Sequence, residues 1–446
     1  MDQRNNKLSS TIDLKKCGIE ELSQMQIEAN DVISKGNQDV VILSPTGTGK
    51  TFAYLLPLIQ KINVNTDEIQ AIVIVPNREL ALQSFQVLQG LGTKVRGCAC
   101  YGGRATMDEH KILKQILPHI VFATPGRLND HLNKKNIVSN SIHFVVIDEF
   151  DKCLAMGFQE EMSEVLGQLP NITQRILLSA TETKDIPLFV NIQQANRLDY
   201  LDDNQDKKEQ IAIYKVQSPE NDKLSTLGNL LRTFGNQSSI VFVNYRESTD
   251  RIHAYLAEQN FFTSVFHGGL DQKQRESALY KFLNASANIL ISTDLASRGL
   301  DIPNVDNIIH YHLPENEDSF THRIGRTARW ENVGSSYFIL GPNEQLPQYI
   351  QTDVQEYKIP QSLPDIMPSK MVTFYIGKGK KDKITKTDVV GFLCKKCGLQ
   401  SKDIGRIDIF DHYVYVAVSR KHLSQVLKLS VGEKIKGIKT LVEIVE

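Results

Sequence analysis

Short apolar runs alternate with longer amphipathic stretches through the first 200 residues of the chain. The runs are rich in Val and Ile and lie at 39–44, 71–75, 119–123, 143–148 and 175–179. Strands of a parallel sheet read as continuous apolar runs, because helices cover both faces of such a sheet. The pattern therefore predicts a parallel α/β domain, which we place at residues 1–205.

The same alternation restarts after a polar, acid-rich stretch at 202–210, which has the composition of a linker. Three further apolar runs lie beyond it, at 239–244, 288–293 and 307–311. With helical stretches between them, these runs predict a second α/β domain over residues 211–358.

A third pattern follows the prolines at positions 360, 364 and 368. It predicts strands near 372–376, 404–409, 413–418 and 440–445, and helices at 387–397 and 423–429. The resulting order, βαββαβ, is typical of an RRM-like module. The sequence thus predicts two tandem α/β domains followed by a small α+β RRM-like domain at residues 369–446.

Composition adds little to this picture, because 41% hydrophobic residues in a chain of 446 is ordinary for a globular protein. No apolar run reaches the roughly 18 residues needed to cross a bilayer, and the N-terminus has no apolar core of a signal peptide. We therefore expect a cytoplasmic protein.

Six cysteines do not suggest a disulfide scaffold. Cys394 and Cys397 form a CxxC without a second pair of ligands, so we expect no structural metal.

The net charge of −1 conceals an uneven distribution of charge along the chain. Residues 370–446 contain 16 Lys and Arg against 8 Asp and Glu, a net +8, which leaves −9 for the remainder. A basic module attached to an acidic body is typical of polyanion binding. A basic surface without a ligand is the alternative.

The strongest candidate chemistry lies in a glycine-rich segment at residues 42–51, Ile-Leu-Ser-Pro-Thr-Gly-Thr-Gly-Lys-Thr. Here an apolar strand runs into a loop, and Lys-Thr opens a helix. Gly47 and Gly49 let the loop turn its N–H groups towards phosphate oxygens, and the helix N-terminus favours the same anion. Lys50 is placed to reach the β- and γ-phosphates, and Thr51 to ligate Mg²⁺. The predicted nucleotide site also includes the other polar loop residues, Ser44, Thr46 and Thr48.

A buried strand ends about 100 residues later in two adjacent carboxylates, Asp148 and Glu149. We predict that Asp148 holds the metal from the far side and that Glu149 orients or deprotonates the attacking water. The predicted cofactors are ATP and Mg²⁺. The alternative, a glycine-rich turn with a solvated lysine, does not explain the acidic strand end.

The second α/β domain has no phosphate loop and instead carries a cationic cluster at residues 322–329, His-Arg-Ile-Gly-Arg-Thr-Ala-Arg. A permanently charged, planar guanidinium suits the negative charge of a phosphoryl-transfer transition state. This cluster is therefore predicted to take part in catalysis, and hydrolysis would require closure of the two domains.

With these residues in view, the chain resembles the DEAD-box RNA helicases over essentially its whole length. The resemblance rests on ordered motifs at 76–83 (Pro-Asn-Arg-Glu-Leu-Ala-Leu-Gln), 102–103, 124–128 (Thr-Pro-Gly-Arg-Leu), 148–151 (Asp-Glu-Phe-Asp), 179–181 (Ser-Ala-Thr), 267–275 and 292–301. It implies that both α/β domains have the RecA-like fold.

The resemblance also implies residue roles. Arg326 and Arg329 would be the two arginine fingers, and His322 of the same motif would join them in the catalytic set. Gln26 would hydrogen-bond the adenine edge, which favours ATP, and Asp301 would contact the ribose. Asp151, Ser179 and Thr181 would couple ATP binding to RNA release. Contacts to phosphates and 2′-hydroxyls select RNA by shape rather than by sequence. The implied RNA contacts are Asn77, Arg78, Gly103, Thr124, Gly126 and Arg127 in the first domain, and Gln272, Arg275 and Thr293 in the second.

Four positions depart from the family pattern. Ser9 stands where an aromatic residue usually stacks on adenine, so we expect weaker adenine binding. Phe150 replaces Ala beside the carboxylate pair, where we expect a repacked neighbour rather than lost catalysis. Asn77 replaces Thr, and Ala328 replaces Gly in the last motif.

The C-terminal module is similar to that of the DbpA-type bacterial subfamily. The matching segments lie at 377–384, 403–408, 413–418 and 434–437. The resemblance implies a hairpin of large-subunit (23S-type) ribosomal RNA as partner. The basic loop suits phosphate contacts and contains Lys378, Lys380, Lys381 and Lys383. Phe374, Tyr375, Tyr413 and Tyr415 are candidates for base stacking, although some must be core because strand residues alternate between faces.

The sequence therefore predicts a monomeric ATP-dependent RNA helicase that separates short duplexes during ribosome assembly. One alternative is an ATP-regulated RNA clamp or scaffold with weak hydrolysis. A measurement of RNA-stimulated ATPase activity would distinguish it from a helicase. Another is a DNA helicase or a protein-remodelling ATPase, which competition between RNA and DNA of one sequence would distinguish.

Overall fold

The computed structural model describes residue 14 and residues 19–45, 47–103, 106–182, 186–201, 211–294, 302, 305–327, 334–350 and 353–445. The chain divides into two compact units. The first unit is Met1–Glu209 with Gly299–Asp301, and the second unit is Gln210–Arg298 with Ile302–Glu446.

In the described part of the first unit, seven strands form one parallel sheet in the order β3-β4-β2-β5-β6-β1-β7. The strands are β1 (Asp39–Leu43), β2 (Ala71–Ile74), β3 (Gly97–Cys100), β4 (Ile120–Ala123), β5 (Phe144–Ile147), β6 (Gln174–Ser179) and β7 (Ala195–Asp199). The helices are α1 (Gln24–Lys35), α2 (Lys50–Lys61), α3 (Arg78–Gly90), α4 (Thr106–Ile116), α5 (Pro125–Asn133), α6 (Phe150–Ala155) and α7 (Gln159–Gly167).

The continuous apolar runs are explained by two separate cores, one on each face of this sheet. Val40 and Ile42 of β1 enter one core, and Val41 and Leu43 enter the other. Because side chains alternate along a strand, every position of such a run is buried.

The second unit repeats this architecture with a seven-stranded parallel sheet in its described residues, in the order β10-β11-β9-β12-β13-β8-β14. The strands are β8 (Ile211–Gln217), β9 (Ser239–Phe242), β10 (Thr263–Phe266), β11 (Ile289–Ser292), β12 (Asn307–His310), β13 (Gly334–Leu340) and β14 (Val354–Glu356). The helices are α8 (Leu224–Phe234), α9 (Arg246–Glu258), α10 (Gln272–Leu283) and α11 (Glu317–Ile324).

The same unit ends in a small α+β module, which we call the tail module. Its antiparallel sheet has the order β16-β17-β15-β20, and β18 and β19 form a hairpin. Its elements are β15 (Met371–Ile376), α12 (Lys386–Lys395), β16 (Ile404–Ile409), β17 (Val414–Ser419), α13 (Leu423–Leu429), β18 (Lys434–Ile435), β19 (Ile438–Lys439) and β20 (Val442–Ile444).

The predicted fold class is confirmed: two RecA-like parallel sheets and an RRM-like module with the predicted βαββαβ order. The strands that the sequence pattern missed are β3, β7, β8, β10, β13 and β14, together with the two hairpin strands β18 and β19. These strands lack a continuous apolar run, as in Ala195–Asp199 and Ile211–Gln217, or they combine one with small polar residues, as in Thr263–Phe266. The predicted helix at 387–397 ends at Lys395, so Cys397 lies beyond it.

Candidate nucleotide-binding and RNA-binding sites

The loop between β1 and α2 turns on two glycines in the left-handed region. Gly47 has φ +83° and Gly49 has φ +82°. The left-handed conformation favours glycine at position 49, and a Cβ atom there would lie 2.4 Å from Gln26 Nε2, so the Gln26 side chain would have to move. Thr46 lies outside the described residues.

Hydrogen bonds within the loop hold Lys50 at its centre. The buried Lys50 Nζ donates to Ser44 O at 2.6 Å and to Pro45 O at 3.1 Å. The Ser44 and Thr48 hydroxyls are 2.7 Å apart and hydrogen-bonded, and Thr48 Oγ1 also donates to Pro45 O at 2.9 Å. The loop therefore has a defined shape, with its cation directed into the turn.

Gln26 joins this loop to the N-terminus of α1. Its Oε1 accepts from Ser23 N at 2.9 Å as part of a capping box, and its Nε2 donates to Gly49 O at 3.2 Å. The predicted adenine-contacting residue thus lies beside the phosphate loop, although the two are far apart in sequence.

Sheet order brings the carboxylates to the same edge as the loop. Strand β6 lies between β1 and β5 in this parallel sheet, so the three carboxyl ends are neighbours. Asp148 and Glu149 directly follow β5, and both are buried. Glu149 has φ +50°, and its N–H donates to Asp148 Oδ1 at 3.0 Å.

Electrostatics at this edge favour a bound cation. Burial, reinforced by the Glu149 charge, raises the pKa of Asp148 to about 7, while the Lys50 charge opposes the shift. Glu149 Oε2 is buried and has no hydrogen-bond partner among the described residues. Two buried carboxylates are hard oxygen ligands, and they fit Mg²⁺.

Phe150, the departure from the family pattern, lies in the core of the first unit rather than in the site. It is 1% exposed and packs in the cluster that includes Ile147 and Cys153. Phe150 therefore fills the core next to the carboxylate pair, and Asp148 and Glu149 directly follow β5.

The three predicted coupling residues form one hydrogen-bonded chain at the end of β6. Ser179 Oγ donates to Thr181 O at 2.7 Å and accepts from Thr181 N at 3.2 Å. Thr181 Oγ1 donates to Asp151 Oδ2 at 3.0 Å. These hydrogen bonds connect the segment after β6 to Asp151, which lies three positions after Asp148.

The predicted RNA contacts of the first unit follow β2, β3 and β4, and they therefore share the same edge of the sheet. Asn77 caps α3 by accepting from Leu80 N at 2.8 Å, a role that Thr also performs. The Arg78 guanidinium lies against Gly103, which has φ +92°. Thr124 precedes α5, and Gly126 is exposed on its first turn.

Arg127 depends on a buried carboxylate that sequence reasoning missed. Its Nη1 lies 3.1 Å from Glu109 Oε2 and donates to Thr106 Oγ1 at 3.0 Å. Glu109 also accepts from Tyr101 N at 3.0 Å and contacts His131 Nε2 at 3.0 Å. Nothing in the linear pattern marks Glu109, because it meets Arg127 only through the placement of two different helices, α4 and α5.

In the second unit, the predicted RNA contacts surround the loop before α10. Arg275 Nη2 donates to Gly268 O at 2.7 Å, and Gln272 Nε2 donates to Glu276 Oε1 at 2.9 Å. The exposed Arg246, which sequence reasoning did not single out, lies with its guanidinium against Gly268. Thr293 directly follows β11, which ends at Ser292.

The cationic cluster lies on and after α11. His322 is buried, and its Nδ1 lies 2.6 Å from Asp318 O. Arg326 is also buried. Arg323, to which no role was assigned, anchors the helix through Asp294 Oδ1 at 2.6 Å and Asn244 Oδ1 at 2.9 Å. Asp301 and Arg329 lie outside the described residues.

The basic loop of the tail module is exposed. Lys380, Lys381 and Lys383 are all on the surface, whereas Lys378 is half-buried and pairs with Asp382 at 3.3 Å. Three of the four predicted phosphate contacts are thus accessible to a polyanion.

The aromatic candidates of the tail module divide between its two sheet faces. Phe374 is fully buried in the helix-facing core and cannot stack on a base. Tyr415 is on the opposite face, yet it is 2% exposed because its ring packs against Tyr280 of α10 at 5.3 Å. Tyr375 and Tyr413 remain half-buried.

Together these features define a class of protein: an ATPase with two RecA-like domains, the first carrying the phosphate loop and carboxylate pair, and an RRM-like module at the end. Residues 23–188 match the family described as DEAD/DEAH box helicase, and residues 222–331 match the helicase conserved C-terminal domain. Residues 373–444 match the DbpA RNA binding domain.

The chain belongs to the DEAD-box family of ATP-dependent RNA helicases, and it is an RNA-dependent ATPase. It is 33% identical over 435 residues to the ATP-dependent RNA helicase DbpA of Escherichia coli, covering 95% of this chain and 94% of that protein. It is 29% identical over 440 residues to the Bacillus subtilis DbpA, covering 90% of each. A structure of a Saccharomyces cerevisiae (S. cerevisiae) Dbp5 variant bound to RNA and ADP BeF3 has a TM-score of 0.67 at 25% identity, covering 77% of this chain and 92% of that one.

Among the described residues, no helix combines the length and the apolar character needed to cross a membrane.

Proposed function

We propose that this helicase separates short RNA duplexes on large-subunit (23S-type) ribosomal RNA during ribosome assembly, driven by hydrolysis of Mg²⁺-bound ATP. The supporting observation is the meeting of Lys50, in its glycine loop, with the buried Asp148 and Glu149 at one edge of a parallel sheet. The match of residues 373–444 to the DbpA RNA binding domain supports the choice of RNA target.

Each residue of the nucleotide site has a proposed role. Lys50 binds the β- and γ-phosphates, and Thr51 and Asp148 hold the cation, which neutralises phosphate charge when bound. Glu149 orients the attacking water and accepts its proton. Its unpaired, buried Oε2 supports this role, because that oxygen has no other partner among the described residues. Gln26 recognises adenine.

The remaining residues of the proposed nucleotide site are the loop residues and the ribose contact, Ser44, Thr46, Gly47, Thr48, Gly49 and Asp301. His322, Arg326 and Arg329 are proposed to stabilise the charge that develops on the transferred phosphoryl group. Asp151, Ser179 and Thr181 are proposed to couple the nucleotide state to RNA binding.

RNA binding is proposed to use two sets of residues. The first set binds the backbone without reading sequence and consists of Asn77, Arg78, Gly103, Thr124, Gly126, Arg127, Gln272, Arg275 and Thr293. The second set, in the tail module, binds the target hairpin and consists of Lys378, Lys380, Lys381 and Lys383. The net charge of +8 on residues 370–446 supports this second set.

The proposal retains the domain division at residues 1–205, 211–358 and 369–446, a monomeric state and a cytoplasmic location. Light scattering after gel filtration tests the monomeric state. Fluorescence microscopy of a tagged chain tests the location.

The decisive experiment measures RNA-stimulated ATP hydrolysis by the wild-type protein and by Glu149→Gln. The substitution removes the proton acceptor but keeps the size of the side chain, so we expect hydrolysis to fall at least about 100-fold, the lower range for general base removal. ATP and RNA binding should persist. Hydrolysis at the wild-type rate would refute the assigned role, and wild-type protein without RNA stimulation would favour the clamp or scaffold.

A further inference from the structure

One face of the tail-module sheet is covered by helix α10 of the preceding parallel-sheet domain. Thr373 and Tyr415 point away from the core that the tail module forms with its own helices, yet they are 1% and 2% exposed. Asn284 Nδ2 donates to Thr373 Oγ1 at 2.8 Å, and the Tyr280 hydroxyl donates to Tyr415 O at 3.1 Å. The tail module is therefore packed directly on α10.

The same helix carries two of the proposed RNA contacts. Gln272 begins α10, and Arg275 follows one turn later. Residues four apart lie on one side of a helix, so Gln272, Glu276 and Tyr280 form a single row. The far end of this row contacts the tail module through the Tyr280 hydroxyl.

Glu276 joins the RNA contact to the tail module through its two carboxylate oxygens. Gln272 Nε2 donates to Oε1 at 2.9 Å, and the Tyr413 hydroxyl of the tail module donates to Oε2 at 2.7 Å. A carboxylate only accepts hydrogen bonds, so Gln272 must direct its NH₂ group towards Glu276. The orientation of the Gln272 amide is thereby set.

The Tyr413 hydroxyl determines where that carboxylate lies. It is held within an aromatic cluster, with the Tyr413 ring 5.5 Å from Tyr375 and 5.1 Å from Tyr415. Lys273 follows Gln272 in α10, and its Nζ atom lies 5.0 Å from the centre of the Tyr375 ring. Several contacts thus fix Tyr413 against α10, and a fixed donor restricts rotation of Glu276.

We propose that Tyr413 is a positioning residue for RNA binding by the helicase core, acting through Glu276 on Gln272. The tail module then contributes to the affinity of the core for any RNA, in addition to selecting a target. This inference rests on the proposed RNA contact of Gln272.

The test measures the RNA concentration for half-maximal ATPase activity with an unstructured single-stranded RNA that carries no hairpin. Tyr413→Phe removes the hydroxyl and keeps the ring. Immobilising a side chain on binding costs about 0.5–1.5 kcal/mol, so we expect that concentration to rise about two- to tenfold. The maximal rate should not change. Tyr349→Phe is the matched control, because its hydroxyl donates to Pro314 O within the same unit and does not contact α10.

A second experiment distinguishes this hydrogen-bonded path, from Tyr413 through Glu276 to Gln272, from a general loosening of the tail module. In a Gln272→Ala background, Tyr413→Phe should raise the half-maximal RNA concentration no further. Glu276→Ala, which removes both acceptor oxygens, should likewise raise it no further in that background. An unchanged half-maximal concentration in Tyr413→Phe overturns the inference, as does a full additional effect in the Gln272→Ala background. Wild-type protein whose ATPase does not respond to RNA would instead overturn the proposed function.

Discussion

At the scale of single residues, three residues of the nucleotide site have backbone conformations that side chains rarely adopt. Gly47, Gly49 and Glu149 all have positive φ, at 83°, 82° and 50°. For the glycines this conformation is free of strain, whereas for Glu149 it costs of the order of 1–3 kcal/mol. The surrounding packing must supply that energy, and the result is a buried carboxylate at the end of β5.

Replacing Gly49 by alanine should disrupt the loop without disturbing the sheet. The added Cβ would lie 2.4 Å from Gln26 Nε2 in a left-handed conformation, which costs about 1–3 kcal/mol. We expect ATP affinity to fall at least about fivefold, the equivalent of about 1 kcal/mol, as measured by titration with a fluorescent ATP analogue. Gly167→Ala is the control, because a Cβ there meets nothing within 4 Å. Equal ATP affinity in both variants would contradict this account.

At the scale of elements, the ends of neighbouring strands are joined by polar side chains that sequence patterns do not display. His312 lies beyond β12, and its Nδ1 accepts from Asn244 N beyond β9 at 3.1 Å. Burial, with Lys223 nearby, lowers the pKa of His312 to about 4. The neutral ring is therefore the form that holds these two strand ends together.

The sign of the resulting pH dependence follows from this shift. The unfolded state, with its histidine pKa near 6.5, takes up a proton at higher pH than the folded state does. The stabilisation is thus present above about pH 6.5 and is lost as the pH falls towards 4. We expect the Tm of the transition of the second unit to fall between pH 7 and pH 5. The His312→Asn variant keeps an acceptor for Asn244 N but has no titrating ring. Its Tm, measured by calorimetry, should therefore fall less over the same pH range. An equal decrease would exclude His312 as the cause.

At the scale of the whole molecule, catalysis and target choice are assigned to different parts of the chain. The proposed phosphoryl-stabilising residues belong to the second unit, and the phosphate loop belongs to the first. Arg326→Ala and Arg329→Ala should therefore lower the ATPase kcat by about 10³-fold or more, the range for arginine fingers. ATP affinity should change little, because Lys50 and its loop are intact. Stopped-flow ATPase assays and nucleotide titration measure the two quantities.

A wild-type kcat in the variant that carries both Arg326→Ala and Arg329→Ala would contradict the proposed role of these arginines. Arg326 is buried, so circular dichroism of each variant is needed to show that the fold persists. Arg326→Lys, which keeps the charge but not the planar fork, should retain intermediate activity.

The tail-module lysines should determine how strongly salt weakens target binding. Changing Lys380, Lys381 and Lys383 to Gln removes up to three phosphate contacts, so the slope of log K against log salt should flatten by roughly 2–3. Fluorescence anisotropy with a ribosomal hairpin measures the slope. The control removes the same charge from three exposed lysines of the first unit, Lys94, Lys111 and Lys114. An unchanged slope in the tail-module variant would show that this loop does not bind the RNA.

The fold class follows from the linear pattern of residues alone, and the same pattern was enough to propose where the nucleotide binds. Short runs rich in Val and Ile, spaced between helical stretches, are typical of strands in a helix-covered sheet. Ser44–Thr51 and Asp148–Glu149 are local segments, so their chemistry is visible in the linear sequence. The RRM-like order was predictable for the same reason. Strands without a continuous apolar run, such as Ala195–Asp199, were missed because their pairing, not their composition, makes them strands.

Which residues meet across elements follows only from the packing of the folded chain. Alternation along β15 and β17 predicts that Phe374 and Tyr415 face opposite sides, but it cannot say what covers the second side. Helix α10 covers it, and so Tyr415 is buried and Tyr413 reaches Glu276. Likewise, Glu109 supports Arg127 only because α4 and α5 place them 3.1 Å apart. Periodicity records which face a residue occupies, whereas the neighbour on that face is set by packing between segments distant in sequence.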